Sequence, residues 1–169
     1  VASLAECRAF KHVALYSQAV AHWAASRPGG AFALSALEAA LTVAARSVED
    51  PPVSPAVVRA PGWRVLHVAT ETPFLEGGHS RVIERWVRWD GERQHSLAMT
   101  SPRNEVPACL ESAIRESGGE VFRLAPGSSS FVRRAAELRA LAAAFDVLVL
   151  HVHDYDAVAP LALTWPGRP

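Results

Sequence analysis

Two short segments hold the residue types most able to do chemistry. The first, at 77–81, reads GGHSR and joins two glycines to an imidazole, a hydroxyl and a guanidinium. The second, at 151–156, reads HVHDYD and holds two histidines and two aspartates. Glycine lets a ligand come close to the backbone, and arginine binds anions through a planar fork of donors. Histidine titrates near neutral pH, so it can serve as a general base or as a metal ligand.

The first segment lies between a strand-like run at 63–70 and a helix-like run at 79–89. The first turn of a helix presents free N–H groups and a partial positive charge, and together these bind anions such as diphosphate. The segment lacks the G-x-G-x-x-G of dinucleotide-binding loops, and no G-K-[ST] of a P-loop follows it. It therefore indicates either an anion-binding loop or a tight turn that needs only the positive φ open to glycine. The residues of such an anion-binding loop would be Gly77, Gly78, His79, Ser80 and Arg81.

The second segment allows three interpretations. His151 and His153 are two residues apart, so their side chains share one side of an extended strand. With Asp154 they could contact a sugar or a phosphate, which is the interpretation we favour. They could instead bind zinc or iron, but no further ligand is evident, and Tyr155 stands where the H-x-H-x-D-H pattern of metallo-hydrolases has aspartate. In the third, the histidines only bond backbone groups, and Asp154 or Asp156 caps the next helix.

The other histidines are expected to have structural roles. His67 lies inside a strand-like run between Leu66 and Val68, which predicts a core histidine whose hydrogen bonds are satisfied. Surface or packing positions are predicted for the remaining three, His12, His22 and His95.

The elements that must position these segments alternate along the chain. Strand-like runs lie at 63–70, 94–100, 120–125 and 146–153. Helix-like runs lie at 79–89, 106–117, 130–145 and 156–165. The alternation predicts an α/β fold, a doubly wound (Rossmann-like), mostly parallel sheet of about four strands. In such sheets ligands bind beyond the carboxyl ends of the strands, where both segments lie. The run VLVL at 147–150 has no polar alternation and predicts a strand buried on both faces.

Three regions are predicted from the breaks in this pattern. Residues 1–47 form a helical hairpin, with capping-box spacing at Ser3 and Glu6 and again at Ser35 and Glu38. Residues 48–62 carry four prolines and form a linker, and 63–169 form the Rossmann-like domain. The hairpin either packs on that domain or docks a partner. The start at valine without methionine and the ending WPGRP lead us to expect a piece of a longer protein.

Composition narrows the class of function. Lys plus Arg and Asp plus Glu number 17 each. The chain therefore lacks the excess of basic residues that would suggest nucleic-acid binding. The two cysteines have no C-x-x-C partner, which favours a reducing, cytoplasmic setting. No run approaches the roughly 18–20 apolar residues of a membrane helix. Neither a bound cofactor nor a metal is expected.

Two stretches resemble one enzyme family. VLHVATETPFLEGGHSRVIERWV at 65–87 and DVLVLHVHDYDAVAPLAL at 146–163 are similar to the N-terminal half of GT-B-fold glycosyltransferases. The resemblance is to the large retaining family that includes sucrose and glycogen synthases and bacterial sugar transferases, and it spans about 63–165. It implies that Gly77 and Gly78 approach the donor diphosphate and the acceptor. It also implies that His153, or else His151, lies near the transferred sugar, with Arg81 as a basic residue in the following helix.

The resemblance implies a function as well. The chain would be the acceptor-side domain of an enzyme that moves a sugar from a nucleotide-sugar donor to a sugar or small-molecule acceptor. A second Rossmann-like domain, with an E-x7-E carboxylate pair, would hold the nucleotide sugar, so the fragment alone is expected to be inactive. Two alternatives stay open: a flavodoxin-like binding module without catalysis, and a metal-dependent hydrolase that uses His151, His153 and Asp154.

Overall fold

The structure, a computed structural model, describes residues 9–27, 35–46, 48, 62–72, 78–103, 105–125 and 130–164. Within these ranges the strands are β1 (Arg64–Ala69), β2 (Gln94–Met99), β3 (Val121–Arg123) and β4 (Val147–His151). The helices are α1 (Phe10–Ser26), α2 (Ser35–Ala45), α3 (Gly78–Trp89), α4 (Ala108–Glu116), α5 (Phe131–Ala142) and α6 (Val158–Leu163).

The four strands form one parallel sheet in the order β3-β2-β1-β4. This confirms the predicted α/β doubly wound fold, and each observed element overlaps its predicted run. The central strand β1 is buried along its whole length, as expected where helices cover both faces. Its neighbours are β2, with Ala69 opposite Met99, and β4, with Ala69 opposite His151.

Each face of the sheet has its own apolar core. On one face α3 and α4 place Ile83, Val87, Leu110 and Ile114 in one buried cluster with strand residues that include Leu97 and Met99. The four-residue spacing of these positions within each helix belongs to the amphipathic pattern that made both helices predictable. Each fully buried leucine or isoleucine contributes about 1.5–3 kcal/mol, so the helices are held mainly by this contact.

The opposite face is covered by α5 and α6, and the N-terminal helices pack there too. Val13 of α1 and Ala44 of α2 belong to the same buried cluster as Leu66 of β1 and Leu138 of α5. The helical hairpin therefore packs directly on the sheet domain, and a docking role for it stays a prediction. The capping box at Ser3 and the residues at 49–61 of the predicted linker lie outside the described residues.

One buried arginine links the hairpin to the sheet domain. The guanidinium of Arg139 in α5 donates to the carbonyls of Ala45 and Val48, at 3.0 and 2.7 Å. It also donates to the carbonyls of Leu161 and Ala162 in α6, at 3.1 and 3.2 Å. Arg139 is 6% exposed, so little water reaches these carbonyls. If Arg139 were replaced, they would lose a charged donor that water could not substitute.

We expect Arg139→Met to lower the free energy of unfolding by about 3 kcal/mol, because buried carbonyls would lose charge-assisted hydrogen bonds. Urea denaturation followed by circular dichroism measures the change. Arg133→Met, on the exposed side of the same helix, is the matched control and should change stability by less than about 0.5 kcal/mol. Equal losses in the two variants would contradict the linking role.

The glycines after α4 are required by geometry. Gly118 has φ of +82°, the left-handed region in which glycine commonly ends helices. At Gly119 an added Cβ would lie 1.7 Å from the carbonyl oxygen of His95, which no side chain tolerates. The close approach places the start of β3 against β2.

We expect Gly119→Ala to cost roughly 3 kcal/mol or more, because the methyl group would push β2 and β3 apart. Gly91→Ala serves as the control, since a Cβ there has no atom within 4 Å. Thermal and urea unfolding of the two variants would show the difference, and a stable Gly119→Ala protein with unchanged pairing would refute the steric argument.

The prediction that β4 is buried on both faces is wrong. Leu148 and Leu150 are 37% and 51% exposed, because β4 lies at the edge of the sheet and pairs only with β1 among the described strands. The apolar sequence of β4 is typical of an inner strand, but in the described structure β4 is an edge strand. No helix in the described ranges combines the length and apolar character needed to cross a membrane.

Candidate functional site

The two segments singled out in the sequence meet at the carboxyl edge of the sheet. The ring of His79, in the first turn of α3, lies 5.5 Å from the ring of His153 and 6.3 Å from that of His151, measured between centroids. The meeting is consistent with the topology, because α3 is the helix that follows β1 along the chain and β1 pairs with β4. Three imidazoles are thus gathered at the position where ligands of open α/β sheets bind.

The start of α3 leaves its backbone accessible. Gly78 is exposed, and a Cβ added there would have no atom within 4 Å, so its glycine is not needed for packing. Arg81 in the same first turn is also exposed and makes no ion pair with the part of the chain that the structure describes. Ser80 differs, because it is 6% exposed and its hydroxyl is buried without a hydrogen-bond partner among the described residues. Gly77 lies outside the described residues.

His153 is held by its backbone and by an aromatic stack. Its N–H donates to the hydroxyl of Thr70 at 2.8 Å, and its ring stacks on Tyr155 with 5.1 Å between centroids. Its Nε2 is 3.9 Å from a carboxylate oxygen of Glu71, beyond hydrogen-bond distance. Tyr155 in turn makes an edge contact with His22 of α1, so the helical hairpin reaches the border of this site.

The two aspartates of the segment have different roles. Asp154 is exposed, and the structure gives it no hydrogen bond within the described ranges. Asp156 is buried and caps α6, accepting from the N–H groups of Val158 and Ala159 at 2.8 and 3.1 Å. The capping interpretation therefore holds for Asp156, and Asp154 does not join the imidazole group.

A second polar cluster lies at the same edge on the opposite face. Asp156 accepts hydrogen bonds from the hydroxyls of Thr70, at 2.7 Å, and Thr100. Arg134 donates to the carbonyl of Thr100 at 2.6 Å and lies over the ring of Phe131 at 4.8 Å. These residues line a small, half-open cavity of about 40 Å³, which has room for a few waters. The cluster thus fixes α5 and α6 to the strand ends.

A chain of histidines that the sequence did not reveal runs under α3. Nε2 of His151 lies 3.1 Å from Nδ1 of His67, and Nε2 of His67 lies 3.0 Å from Nδ1 of His95. Nε2 of His95 in turn faces a carboxylate oxygen of Asp90 at 3.4 Å, slightly beyond an ordinary hydrogen bond. His67 and His95 are fully buried, and the ring of Trp86 packs edge-on against His67.

The register of the sheet explains the alignment. His151 pairs with Ala69, two residues beyond His67, and His67 pairs with Leu97, two residues beyond His95. Each step to the next strand therefore moves two residues toward the amino ends while keeping the side chains on one face. His67 is the satisfied core histidine that its neighbours predict, and its partners are the imidazoles of His151 and His95.

Burial keeps the chain neutral. Desolvation, reinforced by His151 and His95, lowers the pKa of His67 to about 3. Desolvation also lowers the pKa of His95, although Asp90 opposes the shift, and it lowers the pKa of His151 with a further contribution from His79. A charged imidazole is thus costly at every position, and at neutral pH the three rings share hydrogen bonds without carrying charge.

Acid should destabilise the protein through this chain. His67 binds a proton in the unfolded state below pH 6.5 but in the folded state only near pH 3. Its contribution is therefore complete above pH 6.5 and is lost as pH falls toward 3, with a slope of about 1.4 kcal/mol per pH unit. Urea denaturation at a series of pH values from about 7.5 to about 4 measures the slope.

The variant that isolates this effect is His67→Gln, whose amide can donate and accept but does not titrate. We expect its unfolding free energy to fall less steeply with acid, by the equivalent of about one proton. His12→Gln, at an exposed position of α1, should leave the wild-type slope unchanged. An unaltered slope in His67→Gln would show that this histidine is protonated in the folded protein.

Metal binding receives no support from the described residues. Among them, no three histidine, cysteine, aspartate or glutamate side chains converge as a metal site requires. Comparisons of the chain with protein-family models, with curated proteins and with solved structures found no match. The site residues therefore stay predictions, supported by the geometry at the carboxyl edge alone.

Proposed function

We propose that this chain is the acceptor-side domain of a glycosyltransferase that moves a sugar from a nucleotide-sugar donor to a hydroxyl-bearing acceptor. The observation that carries the proposal is the meeting of an open helix start with a group of imidazoles. Gly78 leaves the backbone of α3 accessible, and the first turn of that helix brings His79 to within 6.3 Å of both His151 and His153.

The two halves of this arrangement suit the two demands of sugar transfer. The leaving diphosphate gains negative charge, which the N–H groups at the start of α3 would stabilise electrostatically. Arg81, exposed in the same turn, would add a permanent positive charge. The sugar and the acceptor present hydroxyl groups, and imidazoles are suited to hydrogen-bond them.

A single domain supplies only part of such a site. In the proposal a second Rossmann-like domain holds the nucleotide, and closure of the two domains excludes water that would otherwise hydrolyse the donor. His22 and Tyr155 stand at the border of the site, where the hairpin could contribute to the acceptor pocket. The chain by itself is therefore expected to bind diphosphate-containing ligands weakly and to leave transfer to the complete enzyme.

We expect Gly78→Val to weaken the binding of UDP-glucose or GDP-mannose about tenfold, equivalent to about 1.4 kcal/mol, because its side chain would cover the open helix start. Calorimetric titration at millimolar ligand measures the affinity. Stability should change little, because a Cβ at position 78 meets no atom within 4 Å.

The matched control is Gly91→Val. Gly91 has equally open surroundings but lies beside the amino end of β2, at the edge of the sheet opposite to His79, His151 and His153. It should bind the nucleotide sugars as the wild type does. If neither sugar nucleotide nor inorganic pyrophosphate binds the wild-type protein at millimolar concentration, the proposal fails, and a binding module without transfer chemistry becomes the better explanation.

A further inference from the structure

The histidine chain has only two possible directions. A neutral imidazole has one N–H donor and one bare nitrogen that accepts. Three such rings in series must therefore all donate toward Asp90 or all donate away from it. In the first case His151, His67 and His95 each carry the proton on Nε2, and in the second each carries it on Nδ1.

Asp90 decides between the two directions. An ionised carboxylate can only accept, and Nε2 of His95 faces its oxygen at 3.4 Å. A proton on that Nε2 is attracted by the carboxylate, whereas a bare Nε2 would set a lone pair against it in a buried place. Arg93 donates to the same oxygen of Asp90 at 2.6 Å, which lowers the pKa of Asp90 and keeps it ionised.

We propose that Asp90, acting through His95 and His67, holds His151 in the tautomer protonated at Nε2, so that Nδ1 of His151 is a bare hydrogen-bond acceptor at the carboxyl edge of the sheet. That Nδ1 makes no hydrogen bond to any residue the structure describes, and the ring is only half-buried. Asp90, His95 and His67 are positioning residues, because they act on a ligand only through His151.

The fixed tautomer selects the chemistry of what His151 contacts. A bare nitrogen accepts from hydroxyl or N–H donors and repels the oxygens of a phosphate. If the chain is the acceptor-side domain proposed above, His151 therefore contacts a hydroxyl of the sugar or of the acceptor. The diphosphate is left to the start of α3 and Arg81. The site is thus divided into an anion-binding part at the start of α3 and a hydroxyl-binding part at His151, whose ring centroid lies 6.3 Å from that of His79.

No net transfer of a proton along the chain is needed. Moving a proton from a ligand to Asp90 would reverse all three rings and protonate a carboxylate that Arg93 holds ionised. Leaving the proton on His151 or His67 would bury a charge. The energetically economical role of the chain is orientation, as with the aspartate of a catalytic triad, which fixes the tautomer of its histidine without taking its proton.

Long-range proton–nitrogen NMR correlation of the full 169-residue chain, labelled with nitrogen-15, tests the proposal directly. This spectrum distinguishes N–H from bare ring nitrogens for each histidine. At about pH 7.5, above the reference pKa of histidine, we expect His67, His95 and His151 all to show protonated Nε2 and bare Nδ1. A His151 that carries its proton on Nδ1, or on both nitrogens, would overturn the proposal.

Substitution of Asp90 provides the second test. In Asp90→Ala the direction of the chain is no longer fixed, so His151 should show a mixture of tautomers. This effect would act at a distance, because only His95 among the three rings contacts residue 90. Arg93→Ala is the matched control, since it removes the partner of Asp90 but keeps the carboxylate, and it should retain the wild-type tautomer. A pure Nε2–H tautomer in folded Asp90→Ala would show that Asp90 does not set it.

Titration with UDP-glucose separates this inference from the proposed function. If the ligand binds and donates a hydroxyl, the Nδ1 resonance of His151 should shift while remaining that of a bare nitrogen. Appearance of a doubly protonated His151 would mean direct contact with the diphosphate and would refute the division of the site. Absence of binding with the expected tautomers intact would refute the glycosyltransferase proposal and leave the tautomer assignment standing.

Discussion

The pairing of β1 with β4 is the constraint on which the site depends. Ala69 lies opposite His151, so the last residue of β1 and the last residue of β4 end at one level of the sheet. α3, the next helix along the chain, begins near the tip of β4, where His79 lies close to the other imidazoles. The same register places His67 two residues behind and within hydrogen-bond distance of His151. One pairing thus forms both the open site and its buried support.

The buried support is tolerable only because it is uncharged. Three apolar residues in place of the histidine chain would pack under α3 without polar groups to satisfy, so the histidines cost stability unless every nitrogen finds a partner. Within the chain each imidazole is the partner of the next, whereas Nε2 of His95 has no hydrogen-bond partner among the described residues and only faces Asp90. The weakest link of the chain is the 3.4 Å contact of His95 with Asp90, at the end where the carboxylate also binds Arg93. The negative charge of Asp90 attracts a proton on Nε2 of His95 across that contact, although the two groups are not within an ordinary hydrogen bond.

The sequence predicted what depends on local pattern and missed what depends on strand neighbours. Alternation of strands and helices gave the parallel sheet, and the glycine segment with the HVHDYD segment gave the two contributors to the carboxyl edge. The histidine chain needs the register between three strands, and nothing local to His95 distinguishes it from a packing residue. The prediction that β4 is buried failed for the same reason. An apolar run such as VLVL reveals that a segment is a strand but not whether two strands flank it. The sequence does not distinguish Asp154 from Asp156 as the helix cap. The observed start of α6 shows that Asp156 is the cap.

The direction of hydrogen bonds couples the two edges of the sheet. Asp90 and Arg93 stand before β2, at the amino edge, whereas His151 ends β4 at the carboxyl edge. A signal carried as charge would have to pass through rings whose burial makes protonation costly, with the pKa of His67 lowered to about 3. A fixed donor direction needs no charge on any ring, because each neutral ring that donates one way obliges the next to do the same. The identity of one residue at the amino edge therefore decides whether the open nitrogen at the opposite edge accepts or donates.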